Sequence, residues 1–138
     1  MKVVLDTNIL VSAFLFGKRL EKIIKLIEQG EITPCFVMFT LQEFKTVLSY
    51  EKFRLVLISA NKTAQEIVQD ISNYSEVLDD PQDIPKIVKH LGDNYILAAA
   101  AAAKARYIIT GDTELLELKT FENIPIITPE KFLQLFTR

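Results

Sequence analysis

The chain alternates short apolar runs with longer segments in which apolar residues recur every three or four positions. Five runs have the length of buried strands, and they cover residues 3–5, 32–37, 76–78, 107–110 and 125–127. The apolar spacing of the segments between them is typical of amphipathic helices. Short buried strands alternating with helices predict an α/β fold, in which helices cover both faces of a parallel sheet.

Glycines and capping residues set the expected limits of the helices. Helices are predicted over residues 9–16, 20–30, 50–59, 94–106 and 113–118. Further helices are predicted to begin at residues 40, 63 and 128, and one is predicted to end at about residue 90. Thr63 and Glu66 have the spacing of a capping box. The six alanines at 98–103 favour helix and leave a thin surface that lies close to a sheet. Residues 79–85, with two prolines and three aspartates, are expected to form a loop.

Length and composition predict one ordered domain spanning residues 1–138, large enough to bury a core without disulfides. The longest apolar run, 95–103, is too short to span a membrane. Because an apolar strand opens the chain, we expect no signal peptide. Cys35 is the only cysteine, and we expect it to be a small core residue. A cytoplasmic protein fits these features best.

The net charge of −2 gives no overall sign of nucleic-acid binding, but the charge is unevenly distributed. Up to residue 62, nine Lys and Arg stand against six Asp and Glu, and beyond it seven stand against twelve. A basic rim is one interpretation of the first half, formed by Lys18, Arg19, Lys22, Lys25, Lys45, Lys52 and Arg54. The alternative is an ordinary solvated helix face.

Four acids fall where parallel strands are expected to end. Asp6 follows the first strand, Asp112 follows the fourth, Glu43 lies early in the helix after the second, and Asp93 opens the alanine-rich helix. Ligand sites of open α/β sheets form at this edge. Carboxylates gathered there repel one another, and Mg²⁺ or Mn²⁺ removes the conflict because carboxylate oxygens are preferred ligands of these ions.

Each acid also has a structural explanation. Glu43 and Thr40 have the spacing of a second capping box, Asp93 and Asp112 are candidate N-caps, and Asp6 is placed to face helix N-termini. From their positions alone, a metal site and helix capping explain these acids equally well.

The amino-acid sequences of these segments resemble the four acidic motifs of the PIN domain family, in the same order and over essentially the whole chain. The matching segments are Val4-Leu5-Asp6-Thr7-Asn8, the helix opening around Glu43, Gly92-Asp93-Asn94-Tyr95-Ile96-Leu97 and Tyr107-Ile108-Ile109-Thr110-Gly111-Asp112. The resemblance implies a three-layer α/β/α sandwich around a parallel sheet of about five strands in the order 3-2-1-4-5. That order makes Asp6 and Asp112 neighbours.

The resemblance also implies a metal-dependent endoribonuclease, similar to toxin components of bacterial or archaeal toxin–antitoxin pairs. Its cofactor would be one or two Mg²⁺ or Mn²⁺ ions, held by Asp6, Glu43, Asp93 and Asp112, and a metal-activated water would attack the phosphorus. Asn8 and Thr110 are candidates for orienting the ligands or the phosphate, with turn and cap hydrogen bonding as the alternative. The implied partners are RNA, a protein antitoxin and a second copy of the chain in a homodimer, with no membrane.

Two positions depart from the family pattern. His90-Leu91-Gly92-Asp93 stands where relatives commonly have an Asp-Pro-Asp-Asp-like run, so one peripheral acid is absent. Nearby candidates to replace it are Asp79, Asp80 and Asp83. Glu114 stands where relatives often have a further Asp. His90 itself is expected at a helix end on the surface, and Tyr74, Tyr95 and Tyr107 are expected in the core or at its rim.

Two other functions fit some of these features. One is a non-catalytic PIN module that binds RNA or protein, although such modules tend to lose ligands. The other is a receiver-type signalling domain, which also gathers acids and binds Mg²⁺ at strand ends. A receiver expects paired acids after its first strand, whereas Asp6 stands alone there.

Overall fold

The computed structural model of the chain describes residues 1–17 and 20–136. Its strands are β1 (Lys2–Leu5), β2 (Thr33–Val37), β3 (Glu76–Leu78), β4 (Tyr107–Ile109), β5 (Thr120–Phe121) and β6 (Ile124–Ile127). Its α-helices are α1 (Thr7–Phe16), α2 (Glu21–Glu28), α3 (Met38–Leu48), α4 (Arg54–Ser59), α5 (Ala64–Ser72), α6 (Leu91–Ala103), α7 (Thr113–Glu117) and α8 (Pro129–Gln134), and a 3-10 helix spans Glu51–Phe53. None of the described helices has the length and hydrophobicity needed to cross a membrane.

The strands form one sheet in the order β3-β2-β1-β4-β6-β5. All neighbouring pairs are parallel except β5 with β6. The first five strands of this order confirm the predicted α/β fold and its 3-2-1-4-5 arrangement. Strand β5, at the edge of the sheet, is not among the predicted strands, because the turn that joins it to β6 carries no typical turn signal. Glu122 and Asn123 form this turn at φ 47° and 66°. Such a turn is usually marked by glycine, which this one lacks.

Side chains of successive strand residues point to opposite faces of the sheet, so each face has its own core. Val3 and Leu5 of β1 belong to one cluster with Phe44 of α3, and further residues of this cluster lie on α1, α2, α5 and α8. Val4 belongs to the other cluster with residues of α6 and α7. Helices on both faces give the predicted three layers. The alanine-rich α6 packs closely, and Ala99 and Ala100 are completely buried.

The start of α3 corrects the capping-box interpretation of Glu43. The helix begins at Met38, two residues before the predicted start, because the Thr40 hydroxyl accepts from the Val37 N–H at 3.0 Å and donates to the Val37 carbonyl at 2.9 Å. Glu43 therefore lies beyond the first turn and caps nothing there. The capping box of Thr63 and Glu66 is confirmed at the start of α5.

The helix predicted up to His90 is wrong, because residues 79–90 form neither helix nor strand. The buried side chain of Asn94 accepts from the backbone N–H groups of Ile87 and Val88 at 3.1 Å each and donates to the Val88 carbonyl at 2.9 Å. These bonds hold the segment in an irregular path. The alanine-rich helix then begins at Leu91, so Asp93 lies inside its first turn and is not an N-cap.

Candidate active site

Asp6 lies at the carboxyl end of β1 and is only 8% exposed. Its Oδ1 accepts from the N–H of Asn8 at 3.3 Å, which caps α1, and its Oδ2 accepts from the hydroxyl of buried Thr110 at 2.6 Å. Burial raises the pKa of Asp6, the bonds from Thr110 and Asn8 oppose that rise, and the charge of Asp112 adds to it. The pairing of β1 with β4 brings Asp6 and Thr110 together.

Asp112 caps α7 and is tied to the same threonine. Its Oδ1 accepts from the Glu114 N–H at 2.8 Å, and its own N–H donates to the Thr110 hydroxyl oxygen at 3.0 Å. The Thr110 hydroxyl thus connects Asp6 to the backbone of Asp112. The cap interpretation is correct for Asp6 and Asp112, yet each cap occupies one lone pair and leaves further carboxylate lone pairs for a cation.

Glu43 reaches the same edge from α3. The buried hydroxyl of Thr7 donates to its Oε1 at 3.1 Å. A Cβ atom added to Gly92 would lie 2.5 Å from Oε2 of Glu43, so a side chain at this position would displace the carboxylate. No sequence pattern assigns these contacts to Thr7 or Gly92, which lie inside the first and third acidic motifs.

Asp93 is partly buried, and no hydrogen bond to its carboxylate occurs among residues 1–17 and 20–136. Its pKa is raised to about 6, mainly by burial and also by the charges of Asp6, Asp112 and Glu43, against an opposing effect of His90. The four predicted acids therefore share one electrostatic environment. As the side chains stand, however, the described residues include no group of three His, Cys, Asp or Glu placed to hold a metal ion.

The donor set nevertheless fits a hard divalent cation. The carboxylates come from four separate elements, and in the described part of the chain no Lys or Arg forms an ion pair with any of them. Charge of one sign gathered without a counter-ion is what Mg²⁺ and Mn²⁺ neutralise in oxygen-ligand sites. Thr110 and Thr7 already fix one oxygen of Asp6 and one of Glu43.

Other predicted residues lie outside this cluster. Asn8 contacts Asp6 through its backbone N–H, while its side chain is exposed. Cys35 is buried in the core, and burial raises the pKa of its thiol to about 11. Asp80 accepts from the Phe39 N–H at 2.8 Å, and Asp83 lines a cavity with residues in the second half of α6.

Of the three tyrosines predicted in the core or at its rim, Tyr95 and Tyr107 lie there, whereas Tyr74 is exposed, as is Tyr50. Tyr95 stacks on Phe39 with ring centroids 3.9 Å apart, and Tyr107 meets Phe132 edge-on. Among the charges of the predicted basic rim, Lys18 and Arg19 lie outside the described residues. Lys25 pairs with Glu21 and Arg54 with Glu51 on their own helices, as on a solvated helix face.

The fold and this acidic edge define a PIN-type domain. Residues 2–114 match the PIN domain family, and the chain belongs to that family. PIN domains are generally nucleases, and PIN nucleases generally use divalent metal ions. The strand order also excludes the receiver alternative, because β1 lies between β2 and β4 here, whereas the receiver order 2-1-3-4-5 places strand 1 between strands 2 and 3.

Among solved structures, the chain is similar to VapBC2 from Rickettsia felis bound to a DNA fragment from their promoter. The TM-score is 0.63 at 16% identity, covering 93% of this chain and 98% of that one. At this identity the likeness concerns the fold. No curated protein sequence matches the chain.

Proposed function

We propose that this protein is a metal-dependent endoribonuclease whose Asp6, Glu43, Asp93 and Asp112 hold one or two Mg²⁺ or Mn²⁺ ions. The observation that carries the proposal is that four carboxylates from separate elements lie together, with no described Lys or Arg paired to any of them. The raised pKa of Asp93 agrees with this arrangement. Their place at the carboxyl end of the parallel strands, in a member of a nuclease family, adds support.

The residues of the chain orient the reactants. A bound Mg²⁺ or Mn²⁺ supplies an activated water and neutralises charge on the scissile phosphate. Asp6 and Asp112 would be the direct ligands, and the Thr110 hydroxyl bonds to both residues. Glu43, oriented by Thr7, and Asp93 would act directly or through water. No protein nucleophile takes part.

The proposed partners are RNA and a protein antitoxin, with the chain as a toxin that forms a homodimer in the cytoplasm. Two likenesses support this role: the motifs resemble those of toxin components, and the fold resembles that of a VapBC complex. An open reading frame for a small antitoxin-like protein immediately upstream of the gene would be the simplest genomic support.

The test is cleavage of a labelled single-stranded RNA in Mn²⁺ by the wild type, Asp112→Asn and Asp83→Asn. Asparagine also caps helices, so Asp112→Asn keeps the start of α7 while removing the ligand charge. We expect at least about a 100-fold loss of rate in Asp112→Asn and none in Asp83→Asn. Absence of cleavage by the wild type, or equal cleavage by Asp112→Asn, would overturn the proposal.

The second candidate is a non-catalytic PIN module that binds RNA or protein. It is favoured by the separation of the acidic side chains, which in the described residues do not form a ready group of three. The same reaction mixtures separate the candidates. RNA that the wild type retains on a filter in Mn²⁺ but leaves uncut would favour the module.

A further inference from the structure

The segment at residues 86–91, which leads into α6 and includes its first residue, carries both cationic and apolar side chains at the surface. Lys86 and Lys89 are exposed, and neither forms an ion pair with the described residues. Ile87 and Leu91 are 51% and 61% exposed. Val88 alone turns inward, into the core beneath α6. Apolar side chains left in water mark interaction surfaces, and free cations beside them favour an anionic partner such as single-stranded nucleic acid.

This segment is irregular in path but firmly held. Asn94 makes three hydrogen bonds to the backbone of Ile87 and Val88, and Asn94 is itself only 5% exposed. The side chains that flank Val88 therefore have fixed starting points on the surface. A prearranged surface loses less conformational entropy on binding than a flexible one does.

A chain of hydrogen bonds links the segment to the acidic cluster. The Lys89 N–H donates to Oε1 of Glu114 at 2.5 Å, and the Glu114 N–H donates to Oδ1 of Asp112 at 2.8 Å. On its other side the segment runs through His90 into the first turn of α6, which contains Asp93. The segment thus borders the carboxylates that we assign to the metal.

We propose that residues 86–91 form the binding surface for single-stranded RNA beside the scissile phosphate. The ammonium groups of Lys86 and Lys89 contact phosphates, and the side chains of Ile87 and Leu91 contact base faces. The inference rests on the proposed ribonuclease function and names where its substrate lies. Four carboxylates repel the RNA backbone, so cations at their border are needed to bring RNA to them. Glu114 is a positioning residue, which holds the Lys89 backbone.

The test measures binding without hydrolysis, by fluorescence anisotropy of a labelled single-stranded RNA in EDTA with the full chain. The double variant Lys86→Ala/Lys89→Ala is compared with Lys25→Ala/Arg106→Ala. Those control cations are also exposed, but Lys25 lies on α2 and Arg106 lies directly before β4. We expect affinity to fall about tenfold or more only in the first variant. Its slope of log affinity against log salt should drop by about 1.4, or about 0.7 for each lost phosphate contact.

A third variant, Ile87→Ser, separates the apolar contact from the ionic ones. It should weaken binding several-fold and leave the salt slope unchanged, since it removes no charge. The proposal is overturned if the wild type fails to bind RNA, or if both double variants bind equally and with equal slopes. The second result would assign the patch to a protein partner. Cleavage by the wild type in Mn²⁺, measured separately, would then show that the ribonuclease function itself stands.

Discussion

At the amino-terminal edge of the sheet, the ammonium of Lys2 lies 2.8 Å from a carboxylate oxygen of Glu76, across the starts of β1 and β3. At the carboxyl-terminal edge, Asp6 and Asp112 stand with two further acids. In the described residues, no ion pair reaches any of the four. The same sheet therefore pairs opposite charges at one edge and gathers like charges at the other.

The two edges differ in what holds their charged groups. Lys2 and Glu76 hold each other, in a pair so exposed that solvent screens most of its attraction. Asp6 is instead held by neutral donors, the Thr110 hydroxyl and the Asn8 backbone, which orient it without cancelling its charge. Glu43 is held by the Thr7 hydroxyl in the same way. The carboxyl edge thus keeps its negative potential for a ligand. Substitutions at one edge or the other therefore test this difference between them.

The largest effect is expected from removing the Thr110 hydroxyl. Thr110→Val keeps the shape of a fully buried side chain but leaves Oδ2 of Asp6 and the Asp112 N–H without their partner. We expect a loss of about 1–3 kcal/mol in the free energy of unfolding, measured by urea denaturation. Thr113→Val, at an exposed position on α7, is the control. Equal losses in both variants would mean that Thr110 does not organise the edge.

Gly92→Ala tests the close approach of α6 to Glu43. The new Cβ would lie 2.5 Å from a carboxylate oxygen, so Glu43 must move away from its place beside Thr7. We expect RNA cleavage to fall about tenfold, which corresponds to about 1.4 kcal/mol in the barrier. Gly111→Ala is a matched control beside Asp112, because the nearest atom to its Cβ is 4.0 Å away. Comparable rates for the two variants would contradict a role for Glu43.

Asp93→Asn should show, as a pH dependence, the cost of burying this carboxylate and of its repulsion by the other acids. The pKa of Asp93 in the folded state is about 6, above the unfolded value of 3.8. The protonated carboxyl is the form that suits the folded state, so the contribution of Asp93 to stability is fully present below about pH 4. That contribution is lost as the carboxyl ionises while the pH rises through about 6. In EDTA we expect the variant to be more stable than the wild type at pH 7.5, by about 1 kcal/mol given the partial exposure of the side chain. The difference in stability between the variant and the wild type should vanish near pH 4. A difference that stays constant with pH would contradict the raised pKa of Asp93.

The smallest effect is expected at the opposite edge. Lys2→Met or Glu76→Gln removes an exposed ion pair, so the melting temperature should change by no more than about 2 °C in low salt. RNA cleavage should be unaffected. A drop in cleavage would show that the two edges are not separate in function.

Periodicity was sufficient to predict five of the six strands but not the local corrections to the fold. The strands around Val4, Phe36 and Ile108 are buried on both faces, so their apolar runs identify them without tertiary information. The helix predicted before His90 failed because a side chain that lies later in the chain, Asn94, holds that backbone. Similarly, the turn after β5 depends on Glu122, a residue seldom found at positive φ.

For the candidate site, too, the sequence predicts which residues take part but not the contacts that orient them. The order of the motifs and the end of each strand indicated the four acids, and their metal role stays a prediction. The contacts that orient Glu43 join α1, α3 and α6, which lie far apart in sequence. No local pattern contains that information, so Thr7 and Gly92 gained their roles only from the packing of these helices.

The most direct test of the metal site is calorimetric titration of Mn²⁺ into the metal-free protein. The wild type and Glu76→Gln, which alters only the amino-terminal edge, should bind Mn²⁺ with equal affinity. Asp6→Asn/Asp112→Asn should bind it at least about tenfold more weakly, because two direct ligands lose their charge. No saturable binding to the wild type at millimolar Mn²⁺, or equal binding by the double variant, would contradict the assignment of these carboxylates to a metal.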